Sequence, residues 1–133
     1  MKIEWRQCQT YEEAQDHFGI LYLHEWNEKP FYWGKAHKSA FGGRKRLLNG
    51  LYVNPRYALG SRHGIEGCLR HGAKLYIGTL DEEALGCITS VEAFLIHRYG
   101  SVMNKPPSAT VAPLDIDHAG TVPASIRHAK NSP

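Results

Sequence analysis

The stretch Gly19-Ile20-Leu21-Tyr22-Leu23-His24-Glu25-Trp26-Asn27-Glu28-Lys29-Pro30-Phe31-Tyr32-Trp33-Gly34-Lys35 reads as two strands joined by a turn. Ile20 to Trp26 is rich in large aliphatic and aromatic side chains, which suit a pleated, half-buried surface. Asn27-Glu28-Lys29-Pro30 supplies turn formers, and Phe31-Tyr32-Trp33 opens the second strand. Two such runs a few residues apart predict a β-hairpin.

Working outward, Thr10-Tyr11-Glu12-Glu13 fits a capping box and predicts a short helix ending near Phe18-Gly19. Beyond the hairpin, Phe41-Gly42-Gly43 is a link and Arg44 to Leu51 reads as a short basic helix. The next stretch, with Asn54-Pro55, is irregular; Ser61 then caps a helix running to about His71. Lys74 to Gly78 is a third strand, and Asp81-Glu82-Glu83 places acids where a helix dipole favours them. Leu85, Ile88, Val91, Leu95 and Tyr99 recur at three or four residues, giving the apolar stripe of one helix of roughly 18 residues. From Lys105 onward, prolines at 106, 107, 113, 123 and 133 break any periodicity, so the tail reads as extended or disordered. The expectation is one α/β domain: a small three-stranded, largely antiparallel sheet flanked by helices, over residues 19–104. A helical extension (1–18) precedes it and a Pro-rich tail (105–133) follows.

A chain of 133 residues holds one core, and its 42% hydrophobic and 22% charged content is that of an ordinary globular protein. No apolar run reaches the roughly 18 residues of a membrane span, and Met1 to Arg6 lacks a signal-peptide stretch. The expected setting is cytoplasmic, with no membrane partner. Cys8, Cys68 and Cys87 are odd in number and form no CxxC pair, so they read as reduced thiols. No pair among the eight histidines has the HxxxH or HExxH spacing of a zinc-binding helix.

Charge is unevenly placed. Between Lys29 and Lys74 stand ten basic residues and one acid, Glu66, a balance of +9 in a chain whose total is +3. Such a concentration suits a polyanion, because neutralising phosphates releases condensed counterions. A solvated basic surface is the plainer alternative.

The motifs sharpen this. Gly19-Ile20-Leu21-Tyr22 and Tyr32-Trp33-Gly34-Lys35 carry tyrosines ten residues apart; Arg44-Lys45-Arg46-Leu47 follows, then Glu92 within Val91-Glu92-Ala93-Phe94-Leu95-Ile96, then Asn104 twelve residues later. In order and spacing this resembles the GIY-YIG nuclease family, with one extra residue in the first motif and Trp in place of Ile in the second. The resemblance implies a metal-dependent endonuclease acting on DNA, with one Mg²⁺ (or Mn²⁺) per active site held by Glu92. It further implies Tyr22 as general base, Tyr32 as phosphate or water ligand, and Arg46 as the phosphate clamp, with Arg44 its nearest competitor. Lys35, Arg44, Lys45 and Arg62 become DNA contacts, while Gly34 and Asn104 take structural roles. Many members carry His or Tyr one helical turn after the arginine; Gly50 stands there in this chain. Of His63, Tyr52 and His37 as replacements, His63 is favoured because it lies in the next basic helix.

The residue types fit the chemistry on their own terms. Phosphodiester cleavage needs an activated water, neutralised phosphate charge and help for the departing oxygen. Mg²⁺ keeps several waters, so one carboxylate such as Glu92 suffices. A phenol, ordinarily near pKa 10, serves as a base only with cations beside it, which the basic run supplies. Guanidinium offers phosphate a forked pair of donors that lysine lacks. So small a chain has little room for a specificity domain, which points to low specificity, dimerisation or a targeting partner protein. Two rivals stand beside this reading. One is a catalytically silent DNA-binding module on the same scaffold. The other is a structural or protein-interaction domain whose basic stretch meets an acidic partner, which predicts that Tyr22, Tyr32, Arg46 and Glu92 do not converge on one concave surface.

Overall fold

The computed structural model of the chain describes residues 1–15, 17–37, 45–46, 52–53, 62–107 and 110–129. Its strands are β1 (Lys2–Cys8), β2 (Ile20–Trp26), β3 (Lys29–Ala36), β4 (Lys45–Arg46), β5 (Tyr52–Val53), β6 (Lys74–Leu80) and β7 (Asp117–Gly120). Its helices are α1 (Tyr11–Ala14), α2 (Arg62–Arg70), α3 (Glu82–Gly86), α4 (Ile88–Tyr99) and α5 (Ala124–Ala129). The main sheet has five strands in the order β3-β2-β6-β1-β7, with β4 and β5 forming a separate two-stranded pair. Neighbours are antiparallel except β1 and β7, which run parallel. The α/β class is as the sequence predicts, but the sheet has two more strands than the expected three.

Both additions come from outside residues 19–104. β1 alternates strictly enough to bury Ile3 and Trp5 while Lys2, Glu4 and Arg6 stay exposed, the period-two pattern of a sheet with unlike faces. β7 has no such signal; its order comes from partners far away in sequence. It pairs with β1, Thr121 N–H donates to Trp5 O, and Trp5 Nε1 donates to His118 Nδ1 at 2.9 Å. Within the Pro-rich segment, 117–120 and 124–129 are therefore strand and helix.

Three other expectations change. The hairpin turn is two residues long: Asn27 (φ 52°) and Glu28 (φ 61°) both take left-handed conformations, which matches the twist of the strands they join. Lys29 and Pro30 consequently belong to β3, where an edge strand tolerates the missing proline N–H. The long helix is two helices, because Cys87 (φ −133°, ψ 41°) breaks it just after Gly86, a poor helix former. Where a basic helix was expected, Lys45–Arg46 is extended and pairs with Tyr52–Val53; Tyr52 and Val53 are β-formers that favour a ladder over a helical turn.

Helices cover both faces of the sheet. Ile20, Tyr22, Tyr32, Ala36, Leu75 and Ile77 pack under α1 and α2 with Tyr11, Ala14 and Ile65. On the other face Trp5, Leu21, Leu23, Trp33 and Tyr76 meet Ala84, Val91, Leu95 and Ile126 from α3, α4 and α5. Trp33 is the hub of this second layer. It packs edge-on to Trp5 at 6.4 Å, lies 6.3 Å from the Tyr99 ring, and donates Nε1–H to Gly100 O at 2.9 Å. That bond holds the end of α4 against β3. Among the described residues no helix is long and apolar enough to cross a membrane.

Asn104 completes the edge. Its Oδ1 accepts from Trp33 N at 2.7 Å and its Nδ2 donates to Trp33 O at 2.9 Å, so one side chain replaces a neighbouring strand. Ser101 Oγ in turn donates to Asn104 Oδ1 at 2.6 Å. Asn104→Ala leaves both backbone groups of a residue 1% exposed without these partners. Urea unfolding should show a loss of about 2 kcal/mol.

Candidate active site

Strand alternation distributes the candidate residues. Tyr22 and His24 from β2 share a face with Tyr32 and Gly34 from β3, where His24 pairs across with Tyr32 and Tyr22 with Gly34. The two phenol rings lie 6.1 Å apart and are 4% and 6% exposed. Gly34 makes room for Tyr22: a methyl group built on Gly34 would overlap the end of the Tyr22 ring, including its hydroxyl. The phenol therefore reaches from β2 across the edge strand, and its oxygen rests over Gly34.

Lys35, the next residue, points to the opposite face by the same alternation, toward α4. There its Nζ meets Glu92 Oε1 at 3.3 Å, with the two side chains 30% and 18% exposed. The structure thus gathers two pairs, Tyr22 with Tyr32 and Lys35 with Glu92. They lie on opposite faces of the hairpin and are joined through the Gly34-Lys35 peptide. No single face of the sheet carries all four. Among the described residues Lys35 is the one partner recorded for Glu92.

Arg44 lies outside the described residues. Lys45 and Arg46 are described only as backbone in β4, and Arg62 and His63 only as backbone at the start of α2. Tyr52 is likewise backbone in β5, Gly50 lies outside, and His37 is an exposed residue just after β3.

One member of the tyrosine cluster was missed by sequence reasoning. His24 is completely buried, edge-on to Tyr22 at 6.0 Å and 85° and tilted over Tyr32 at 6.2 Å. Among the described residues neither of its ring nitrogens has a hydrogen-bond partner. The signal was available, since positions 20, 22 and 24 of a strand share a face. Burial away from any counter-charge pushes the imidazole pKa down from 6.5 to about 4. The native state therefore resists a proton that the unfolded chain accepts. Stability from the neutral ring is complete above pH 6.5 and falls as the pH drops toward 4. Unfolding followed at pH 7.5 and pH 5 should differ by about 2 kcal/mol, and His24→Phe should flatten that difference.

A second buried polar group lies on β2. Glu25 Oε2 accepts from Ser125 N at 2.9 Å and from Ser125 Oγ at 2.5 Å, which ties α5 to the hairpin. Its other oxygen, Oε1, is buried without a partner.

Among the described residues, the candidate donor for a divalent cation is one half-buried carboxylate, Glu92. A hard cation that retains its waters accepts such a site, provided the Lys35 ammonium yields. Among the described residues no cluster of three or more His, Cys, Asp or Glu stands ready to enclose a metal. Glu92 is one oxygen donor, the kind of ligand a Mg²⁺ that keeps most of its waters accepts. Compared with family models, with curated proteins and with solved structures, the chain finds no match.

Proposed function

We propose that the protein is a metal-dependent endonuclease hydrolysing DNA phosphodiester bonds, with its active site on the edge strand β3. The observation that carries this reading is the position of Tyr22. Its hydroxyl end lies over Gly34, one residue from the lysine that holds Glu92, so the base and the carboxylate flank the Gly34-Lys35 peptide of the edge strand from its two faces. The +9 run that begins at Lys29 and enters the segment after β3 supplies the attraction for the backbone of DNA.

In this mechanism Lys35 moves from Glu92 to a phosphate oxygen, and Tyr32 donates a hydrogen bond to the phosphate. The oxygen of a water attacks phosphorus, its proton passes to the Tyr22 phenolate, and the bond to the leaving sugar oxygen breaks. That oxygen takes a proton from solvent. Arg46, as a fork of donors, balances charge on the five-coordinate phosphorus. Glu92 would hold a divalent cation, which would supply charge neutralisation at the phosphate. One site makes one nick, so cutting both strands requires two copies or a partner.

The test is cleavage of an end-labelled duplex by the full chain in Mg²⁺ and in chelator. Cleavage that requires the metal and drops at least tenfold in Tyr22→Phe supports the reading. Equal cleavage by Tyr22→Phe removes the base from the scheme. A second reading, a silent DNA-binding module, has one observation in its favour. The phenols are almost wholly buried, and Glu92 is already neutralised by Lys35 from the opposite face, as in a structural ion pair. That reading expects salt-sensitive binding with no cleavage in either metal.

A further inference from the structure

We infer that the cleft at the tip of the β2–β3 hairpin receives an unpaired DNA base, stacked against Trp26 and Phe31. The inference rests on the nuclease reading and adds to it a preference for DNA carrying an extruded or unpaired nucleotide. The cleft measures about 280 Å³ and is lined by Trp26, Asn27, Lys29, Phe31 and Val102. Trp26 and Phe31 stand edge to face, 5.6 Å apart at 66°, and both remain partly exposed. Val102 is 69% exposed and its neighbour Met103 53%, so large apolar side chains face water here. An apolar patch with aromatic walls, bounded by a lysine, is suited to a flat ring attached to a phosphate.

The walls are fixed before any ligand arrives. The two left-handed residues of the turn hold one side, and Phe31 O accepts from Met103 N at 3.0 Å on the other. Asn104 pins the same loop to Trp33. A preformed cleft binds without an ordering penalty. Charge selects the occupant: Lys29 on the rim is the first of the ten basic residues that run on to Lys74. An apolar peptide would gain nothing from the Lys29 ammonium, whereas a nucleotide brings its phosphate. Position agrees. Phe31 and Lys35 are four residues apart on β3, about 13 Å, which is roughly four nucleotide steps of a DNA strand. A base held in the cleft would place the backbone a few nucleotides away beside Lys35. A fully paired duplex hides the ring face that Trp26 needs, so only an unpaired base can enter.

The experiment uses the full chain carrying Glu92→Gln, in chelator, so that binding is read without cleavage. The probes are a labelled duplex with a single unpaired thymine and the same duplex fully paired, followed by fluorescence anisotropy. The bulged duplex should bind more tightly, and Trp26→Leu should weaken it about tenfold while changing the paired duplex less than twofold. Intrinsic fluorescence gives an independent reading, because Trp5 and Trp33 are buried and Trp26 is the partly exposed indole. Bulged DNA should quench it more than paired DNA does. Equal affinity for the two duplexes, or bulged binding unchanged in Trp26→Leu, overturns the inference and leaves the nuclease reading standing. Failure of both duplexes to bind overturns the two together.

Discussion

Gly34→Ala should lower stability by about 3 kcal/mol and abolish any activity that depends on Tyr22. The added methyl group would occupy the volume filled by the end of the Tyr22 ring. That ring is 4% exposed and packed between Tyr32, His24 and the α1–α2 cover, so it has no empty space to enter. Overpacking a rigid core costs about 1–3 kcal/mol, and a ring pressed between paired strands belongs at the upper end. Denaturant unfolding of Gly34→Ala measures this directly. The double variant Gly34→Ala with Tyr22→Leu should recover part of the loss, because the shorter side chain vacates the volume. A Gly34→Ala protein as stable as wild type would mean that Tyr22 does not lie over this residue.

Glu92→Gln separates chemistry from folding. Its carboxylate meets Lys35 where both side chains are partly exposed, and such a pair contributes less than about 1 kcal/mol. The apolar contacts of α4, through Val91 and Leu95, do not involve it. Stability should therefore change little. Under the proposed mechanism the same substitution removes the one carboxylate offered to the cation, and the single-turnover cleavage rate should fall about 10²- to 10³-fold. DNA affinity at fixed salt should hold or rise slightly, since a negative charge near the phosphate is gone. A variant that loses stability and binding together would assign Glu92 to structure.

Much of the scaffold was legible because it follows from local pattern. The aromatic and aliphatic run at Ile20–Trp26 forms its strand, Thr10 Oγ1 accepts from Glu13 N as the capping box requires, and α2 ends at Arg70 just before Gly72. Asn104 closes the end of the long helical segment through its side chain, now seen as a bidentate clip on Trp33. What escaped notice depends on tertiary pairing. Asp117-His118-Ala119-Gly120 has no strand pattern of its own and is ordered by β1 and by Trp5. The break at Cys87 interrupts a continuous apolar stripe that periodicity reads as one helix. For the candidate site, spacing in sequence singled out Tyr22, Tyr32, Lys35 and Glu92 without giving the face each one takes. Alternation along β3 puts Tyr32 and Lys35 on opposite sides, so the Tyr pair and the Lys–Glu pair lie on opposite faces of the hairpin. Buried His24, at the centre of the tyrosine cluster, was overlooked because it was counted with the strand and not with the chemistry.

The most direct measurement is nicking of supercoiled plasmid by purified wild-type chain and by Glu92→Gln, each titrated with Mg²⁺ and Mn²⁺. The account expects open-circular product that rises with metal in the wild type and is nearly absent in the variant, with both proteins equally folded. Nicking at the same rate by both proteins, or none by a wild type that binds the plasmid, contradicts it.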